Sequence, residues 1–422
     1  MKSSIKLKKV LVKRNNLLLV ILVGLFLSLR FYQLPKKVNF SMDQGITLLK
    51  IFELWQEKKF TLIGPESSIK TLQARAFFHG PWIYYFLLPV MLISNWNPLA
   101  GSYLFIGLNF FGLVLLFNTV KAKFGPRVAF LACFLFSLSP QMIYFSQFFW
   151  NPNFLPLVSI LIIFLWFKIA KNPCFKNFLF LGLVLGFGLG CHYQTAILTV
   201  VILMIMILKK FSWKHFLAFF LGLLIALSPL EVFELKHNFY NLRTIILVLQ
   251  QETQGSFKVS FYHLLFLWPF LYLGLALLLE KIFLKNRAFA LGLIGLFTVY
   301  ALIQVVPTPK SGFSMPEGWT YTGLLKTRRI ILQENKPNFN IASLLSGDTR
   351  DYPLRFLLTV AKKPALGVEN YPQAEFLFVL SPHNKDKTIS NSVWEINSFC
   401  PCKLKKTWEI QNNIRLYLLE KN

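Results

Sequence analysis

The chain is poor in acid and in sulfur. Of 422 residues only 18 are Asp or Glu, against 45 Lys and Arg, and only 5 are Cys. The cysteines have no metal-binding spacing. Cys133, Cys174 and Cys191 lie in or beside apolar runs, where a thiol packs as a small hydrophobe. Cys400 and Cys402 flank one proline, a spacing too close for an easy disulfide. The shortage of acid leaves a net charge of +27. That excess does not imply nucleic acid, because the Lys and Arg are spread over loops and form no nucleic-acid-binding motif. Membrane topology and anionic lipid account for it better. The runs 128–145, 153–167 and 193–208 contain no Lys, Arg, Asp or Glu, which counts against ion-coupled transport. The basic head Met1–Arg14 precedes a run, Leu17 to Leu34, with no small-residue cleavage site. It reads as a retained first helix with its N-terminus in the cytoplasm, not a signal peptide.

What the chain has instead is apolar surface. It is 55% hydrophobic and 16% aromatic, more than a soluble domain of this size carries. Apolar stretches recur from Asn16 to Val306 between short basic loops, the pattern of a multi-span membrane protein. Basic clusters at Lys121/Lys123/Arg127, Lys168/Lys171/Lys176, Lys209/Lys210/Lys214 and Lys281/Lys285/Arg287 are expected inside. Spans near 16–34, 99–120, 128–145, 153–168, 178–191, 193–208, 216–232, 263–281 and 288–306 satisfy that rule. These are about nine spans, which puts the C-terminus outside. Trp82–Ser94 is left over, and at about 1.5 Å per residue it is too short to cross. We read it as a re-entrant or interfacial helix. The expected fold is thus an α-helical polytopic membrane protein, residues 1–306, in the plasma (inner) membrane.

From Pro307 a Pro- and Gly-rich linker leads to a soluble stretch. A helix near Ile330–Leu332, strands at Ile341–Leu345 and Ala374–Leu380, another starting at Trp394, and an edge strand at Ile414–Leu419 are expected. Residues 307–422 therefore read as a small extracytoplasmic α/β domain. It shows no catalytic signature.

This topology sends the chemistry-capable residues to the outer face: Asp43, Glu66, Arg75 and His79 in 35–81; 146–152; Cys191–Gln194; and 233–262. Asp43 lies in the first outer loop, where a lipid-linked substrate could meet a carboxylate. It suits a general base that takes the acceptor proton; it equally suits a helix N-cap before Gln44–Gln56. A phosphate leaving group needs no acid but does need positive charge. Arg75, His79, Lys236, His237 and Arg243 are the candidates for that charge. Gln44, Tyr84, Tyr85, Trp150, Asn151, Asn153, His192, Gln194 and Glu234 form the candidate sugar and acceptor set. Each has a plainer reading as well. His79 and His192 suit packing, Trp82, Tyr84 and Tyr85 an aromatic belt, Trp150–Asn153 a helix start, and Glu234 with Lys236 a surface ion pair.

Six motifs, in order, carry a resemblance: Asp43-Gln44, Leu62–Pro65, His79–Tyr85, Trp150–Asn153, His192–Thr195 and Phe233–Phe239. Over roughly 16–306 the series resembles bacterial glycosyltransferase family 39, with relatives among protein O-mannosyltransferases and lipid A aminoarabinose transferases of the GT-C membrane fold. The resemblance implies a polyprenyl-phosphate sugar donor, inversion at the anomeric carbon, an outer-leaflet site and Asp43 as base. The implied partners are that donor, membrane lipid, and an acceptor lipid, polysaccharide or protein. The family often has Asp-Glu where this chain has Asp43-Gln44, and a further acid near Asn151. Both departures reduce the carboxylates available to a divalent metal, so no cofactor is firmly implied and metal dependence stays open. A transporter or flippase of an envelope lipid and a non-catalytic glycan-binding scaffold are the alternatives.

Overall fold

A computed structural model describes residues 19–250, 260–307 and 315–422. The basic head and most of the Pro- and Gly-rich linker lie outside the described residues. The chain divides into two compact units. One comprises residues through Tyr32, Lys59–Pro89 and Tyr103–Val306; the other comprises Gln33–Lys58, Val90–Ser102 and the chain from Pro307. The segment bearing Asp43 thus clusters with the C-terminal part, which a cut of the sequence at residue 306 does not anticipate.

The first unit is helical, and each expected span overlaps helix among the described residues. Pro98–Phe124, Asn151–Lys171, Trp213–Lys236 and Arg287–Val305 are long and apolar enough to cross a membrane. Leu19–Phe31, Phe175–Cys191 and Thr195–Leu208 are shorter apolar helices, and Trp268–Lys285 adds 18 residues. Length and composition alone therefore give four spans among the described residues, or five with one bent pair, where the charge rule gives nine. Trp82–Ile93 is an apolar helix of 12 residues. The Arg287–Val305 helix buries only 11% of its apolar window, the mark of a surface turned to lipid.

One expected span is broken. Residues 128–145 form two helices, Pro126–Leu138 and Pro140–Ser146, bent by 63°. Pro140 has no N–H to continue the first ladder. Ser139 caps the second helix by accepting the Met142 N–H, and the Tyr272 hydroxyl donates to the Ser139 hydroxyl. Beside this break lies Arg30, fully buried at the end of the first helix. Its Nη1 donates to the Ser137 carbonyl at 3.1 Å, and its guanidinium sits 3.6 Å over the Phe26 ring. Gln147 Nε2 donates to the Arg30 carbonyl at 2.9 Å.

The second unit contains a four-stranded sheet in the order Phe339–Ser343, Phe376–Ser381, Ile414–Lys421, Cys402–Gln411. The first pair is parallel, with Ile341 opposite Phe378, and the others are antiparallel, with Leu380 opposite Leu416. Ile414–Lys421 is therefore an inner strand, not the expected edge. Its Leu416, Leu418 and Leu419 are all buried, and the edge falls to Cys402–Gln411, whose exposed Lys403, Lys405 and Lys406 discourage further pairing. Trp394–Asn397 is a helical turn, not a strand, because Ile396 turns into the core with Tyr371, Leu377 and Phe399. Cys400 and Cys402 are joined as a disulfide, contrary to the spacing argument.

The helices Tyr321–Glu334 and Tyr352–Val360 bring the first outer loop into this unit. Phe40 packs edge-on against Tyr321 and Phe356, at 5.7 and 6.3 Å. Gly45 meets the start of the Tyr352–Val360 helix so closely that a Cβ there would lie 2.4 Å from the Pro353 nitrogen. Asp351 caps that helix through the Leu354 N–H, and Asp348 accepts from the Tyr352 N–H. Both carboxyls are pushed up, Asp348 to about 6 by burial and Asp351 to about 7 by burial and the neighbouring Asp348. Arg355 opposes both shifts without cancelling them.

A folded pKa raised above the unfolded value means that folding takes up protons. The stabilisation is complete below about pH 4 and lost as the pH rises through 6 to 7. The protection factors of the amides of 339–360, which already correct for base-catalysed intrinsic exchange, should therefore fall by at least about tenfold between pH 5 and pH 8. Asp351→Asn should flatten that dependence; an unchanged pH profile in the variant would refute the assignment.

Candidate functional site

The site residues of the first unit are gathered by a hairpin and two helix ends. Glu66–Lys70 and Ala76–Phe78 pair antiparallel, and Arg75 stands exposed at the turn. Phe78 is held on both sides of its peptide. Asn241 Oδ1 accepts its N–H at 2.9 Å, Asn241 Nδ2 donates to its carbonyl, and the Tyr193 hydroxyl donates to the same carbonyl at 2.8 Å. His79 follows at once. Its N–H donates to Pro65 O at 3.0 Å, its carbonyl accepts from Gly64 N at 2.7 Å, and the Gly80 N–H donates to Gly190 O at 2.6 Å. A Cβ on Gly64 would lie 2.1 Å from the Gly80 carbonyl oxygen, so only glycine permits this crossing. Two motifs far apart in sequence are thereby backbone-bonded, and His79 is fixed against the end of the Phe175–Cys191 helix.

Around His79 the rings form a chain. His79 stacks on His192 with centroids 5.0 Å apart. His192 meets Tyr262 at 6.1 Å and His263 at 6.3 Å, and Tyr262 meets Trp150 edge-on at 4.8 Å. Burial holds the His79 imidazole down to about 4; His192 falls to about 2 through burial and the neighbouring His79 and His263. Both rings are neutral at pH 7. His79 can offer a phosphate an N–H but not the positive charge expected of it.

Many buried polar atoms with no partner among the described residues fall on these same motifs: His79 Nδ1, Asn151 Nδ2, Asn153 Oδ1, both amide atoms of Gln194, and Thr195 Oγ1. Asn153 uses only its Nδ2, which donates to Phe148 O at 2.8 Å. A buried polar atom left unpaired costs about 1–3 kcal/mol. Six of the eighteen such atoms among the described residues fall on these motifs, where a polar guest or ordered water can meet them.

Other candidates have structural work. Glu234 accepts the N–H groups of Asn241 and Leu242, at 3.0 and 3.1 Å, and so caps the Tyr240–Leu249 helix. Both of its oxygens are thus engaged by backbone, and no ion pair with Lys236 is present among the described residues. The Tyr85 hydroxyl donates to Thr61 O and accepts from Thr61 N, which ties down the loop rather than a ligand. Tyr84 is buried. His237 stacks on Phe233 at 4.2 Å and its Nδ1 pairs with the Phe233 carbonyl. Arg75, Lys236 and Arg243 are exposed, and none has a carboxylate partner among the described residues. Tyr262 and His263 are not among the sequence candidates, and Thr195 appears there only as the end of the His192–Thr195 motif. His263 looked like the first residue of a span, but Phe261–Leu264 is a 3-10 turn with a Ser260/His263 capping box, and the helix begins at Trp268.

Asp43 and Gln44 lie in the second unit, on the helix Met42–Glu57. Ser41 is the N-cap of that helix, and its N–H and hydroxyl reach the Gln44 side-chain oxygen at 3.2 and 3.1 Å. Gln44 is thus buried in a capping box. Asp43 is exposed in the first turn, where the helix dipole favours a negative charge.

The fold has known counterparts. ArnT from Cupriavidus metallidurans bound to undecaprenyl phosphate superposes with a TM-score of 0.58 at 8% identity, covering 95% of this chain and 97% of that one. The apo state of that protein gives 0.55 at 10% identity, with the same coverage. Residues 78–233 match the dolichyl-phosphate-mannose-protein mannosyltransferase family. The chain has an ArnT-like GT-C fold. No curated protein sequence matches it significantly. The matched stretch of this GT-C chain holds His79, Trp150–Asn153 and His192–Thr195, and so all of the orphaned polar atoms just described. Asp43 and the Glu234–Arg243 segment fall outside it. Among the described residues of the GT-C chain, no three His, Cys, Asp or Glu side chains converge to hold a metal.

Proposed function

We propose that this GT-C protein transfers a sugar from a polyprenyl-phosphate donor to an acceptor at the outer face of the membrane, with inversion and with Asp43 as general base. The acceptor oxygen attacks the anomeric carbon as the carbon–phosphate-oxygen bond breaks. Its proton passes to the Asp43 carboxylate, and polyprenyl phosphate leaves as an anion. Arg75, Lys236 and Arg243 supply positive charge for that phosphate, and His79 at most an N–H. In this reading the N-terminus is cytoplasmic and the C-terminal domain extracytoplasmic. The acceptor is a lipid, a polysaccharide or a protein.

The observation that carries the reading is the capping of the Met42–Glu57 helix. Ser41 and Gln44 fill the cap, so Asp43 is not needed for it and stays exposed. The solved ArnT bound to undecaprenyl phosphate supports a polyprenyl phosphate as the lipid carrier. Membranes containing the full chain should move labelled sugar from a panel of polyprenyl-phosphate sugars into an acceptor fraction. Movement of the intact lipid across the bilayer, without cleavage of the sugar–phosphate bond, would instead identify a flippase.

A further inference from the structure

We propose that the transferred group is an uncharged, hydroxyl-rich sugar, and that neither an amino sugar bearing an ammonium nor a uronic acid is accepted. The inference rests on the transferase reading and names the substrate class for the same site. The orphaned atoms are mixed in kind. Asn151 Nδ2 and Gln194 Nε2 only donate, Asn153 Oδ1 and Gln194 Oε1 only accept, and Thr195 Oγ1 does both. His79 Nδ1 does either, according to tautomer. A sugar hydroxyl also donates and accepts, so a ring carrying several can satisfy the whole set. An ammonium only donates and would leave unmet any amide donor facing its ring position; a carboxylate only accepts and would leave unmet any amide oxygen, such as Asn153 Oδ1 or Gln194 Oε1, facing its own.

Charge leads to the same answer. Burial keeps His79 and His192 neutral, so neither pairs with a carboxylate. Glu234, the acid that acts electrostatically on neighbouring Tyr193, has both oxygens engaged by the Asn241 and Leu242 N–H groups. A charged guest among these side chains would be desolvated with no charged side chain in the orphaned set to pair with it, Arg75, Lys236 and Arg243 being assigned to the phosphate. Trp150, Tyr262 and the stacked histidine pair add flat ring surfaces beside these polar groups.

The test is competition. The full-length protein in lipid nanodiscs is loaded with tritiated undecaprenyl phosphate. It is displaced by undecaprenyl-phosphate esters of a neutral pentose, a neutral hexose, a 4-amino-4-deoxypentose and a hexuronic acid. Transfer is followed in parallel. At least one neutral donor should compete tenfold or more better than both charged ones and be the one turned over. A charged donor that competes equally or better overturns the inference alone and leaves the transferase reading standing. Failure of all four to bind overturns both. Gln194→Glu supplies an anionic acceptor and should raise competition by the amino sugar, relative to the neutral sugars, at least tenfold. Should that variant not fold, Asn153→Asp makes the same test. An unchanged ranking in a folded variant overturns the placement of the sugar among these residues.

Discussion

Asp43→Asn should lower sugar transfer by about 10²- to 10⁴-fold, the range lost with a general base, while donor binding and expression stay as in the wild type. Asparagine is close to the same size and keeps a polar group in the first turn of Met42–Glu57. The cap itself is untouched, because Ser41 and Gln44 form it. Loss of a favourable dipole interaction at this exposed position costs only about 0.3–1 kcal/mol. The variant therefore separates chemistry from folding better than most. The measurement is initial transfer rate with the donor found in the panel, beside donor affinity by competition. Equal turnover by wild type and variant would return Asp43 to the role of a charge at a helix start.

Gly45→Val should be nearly as damaging, by a different route. The valine Cβ would have to occupy space 2.4 Å from Pro353 N and 2.5 Å from the Tyr352 carbonyl carbon. Both are backbone atoms, which cannot swing aside as a side-chain tip can. Overpacking of this kind costs about 1–3 kcal/mol and is relieved by moving one helix. The helix that moves carries Asp43 two residues away, so transfer should fall by at least tenfold while donor binding in the first unit persists. Gly347→Ala, where a Cβ meets nothing within 4 Å, is the matched control in the same unit. Activity retained in Gly45→Val would mean that the contact between Met42–Glu57 and Tyr352–Val360 is not needed to place the carboxylate.

Apolar runs and charged loops were legible because they are local. The helices lie where composition and the basic clusters put them, and the six motifs include the residues that carry the orphaned polar atoms. What sequence could not show depends on packing partners that no local pattern names. The hydrogen bond from Arg30 to Ser137 spans 107 residues. Ile414–Lys421 is an inner strand because Phe376–Ser381 pairs with it on the side opposite its hairpin neighbour Cys402–Gln411. The role of Glu234 could not be guessed from its neighbour Lys236, because its partners are backbone N–H groups of the next helix. His79 looked like a cation until its burial was known. Tyr262 and His263 carried a weak signal, two polar rings at the mouth of an apolar run, which the span assignment absorbed.

The buried Arg30 sets an order of events in the making of this protein. Its carbonyl partner at Ser137 and the Gln147 amide that reaches its backbone are translated long after the Leu19–Phe31 helix has left the ribosome. At about 5–20 residues per second the wait for Ser137 is on the order of ten seconds. Through that interval the nascent helix holds a guanidinium that lipid alone cannot solvate, and it must rest near the bilayer surface with its arginine in the head groups. Arrival of the Pro126–Leu138 helix draws the charge inward. Packing around Arg30 is thus a late, post-insertion step.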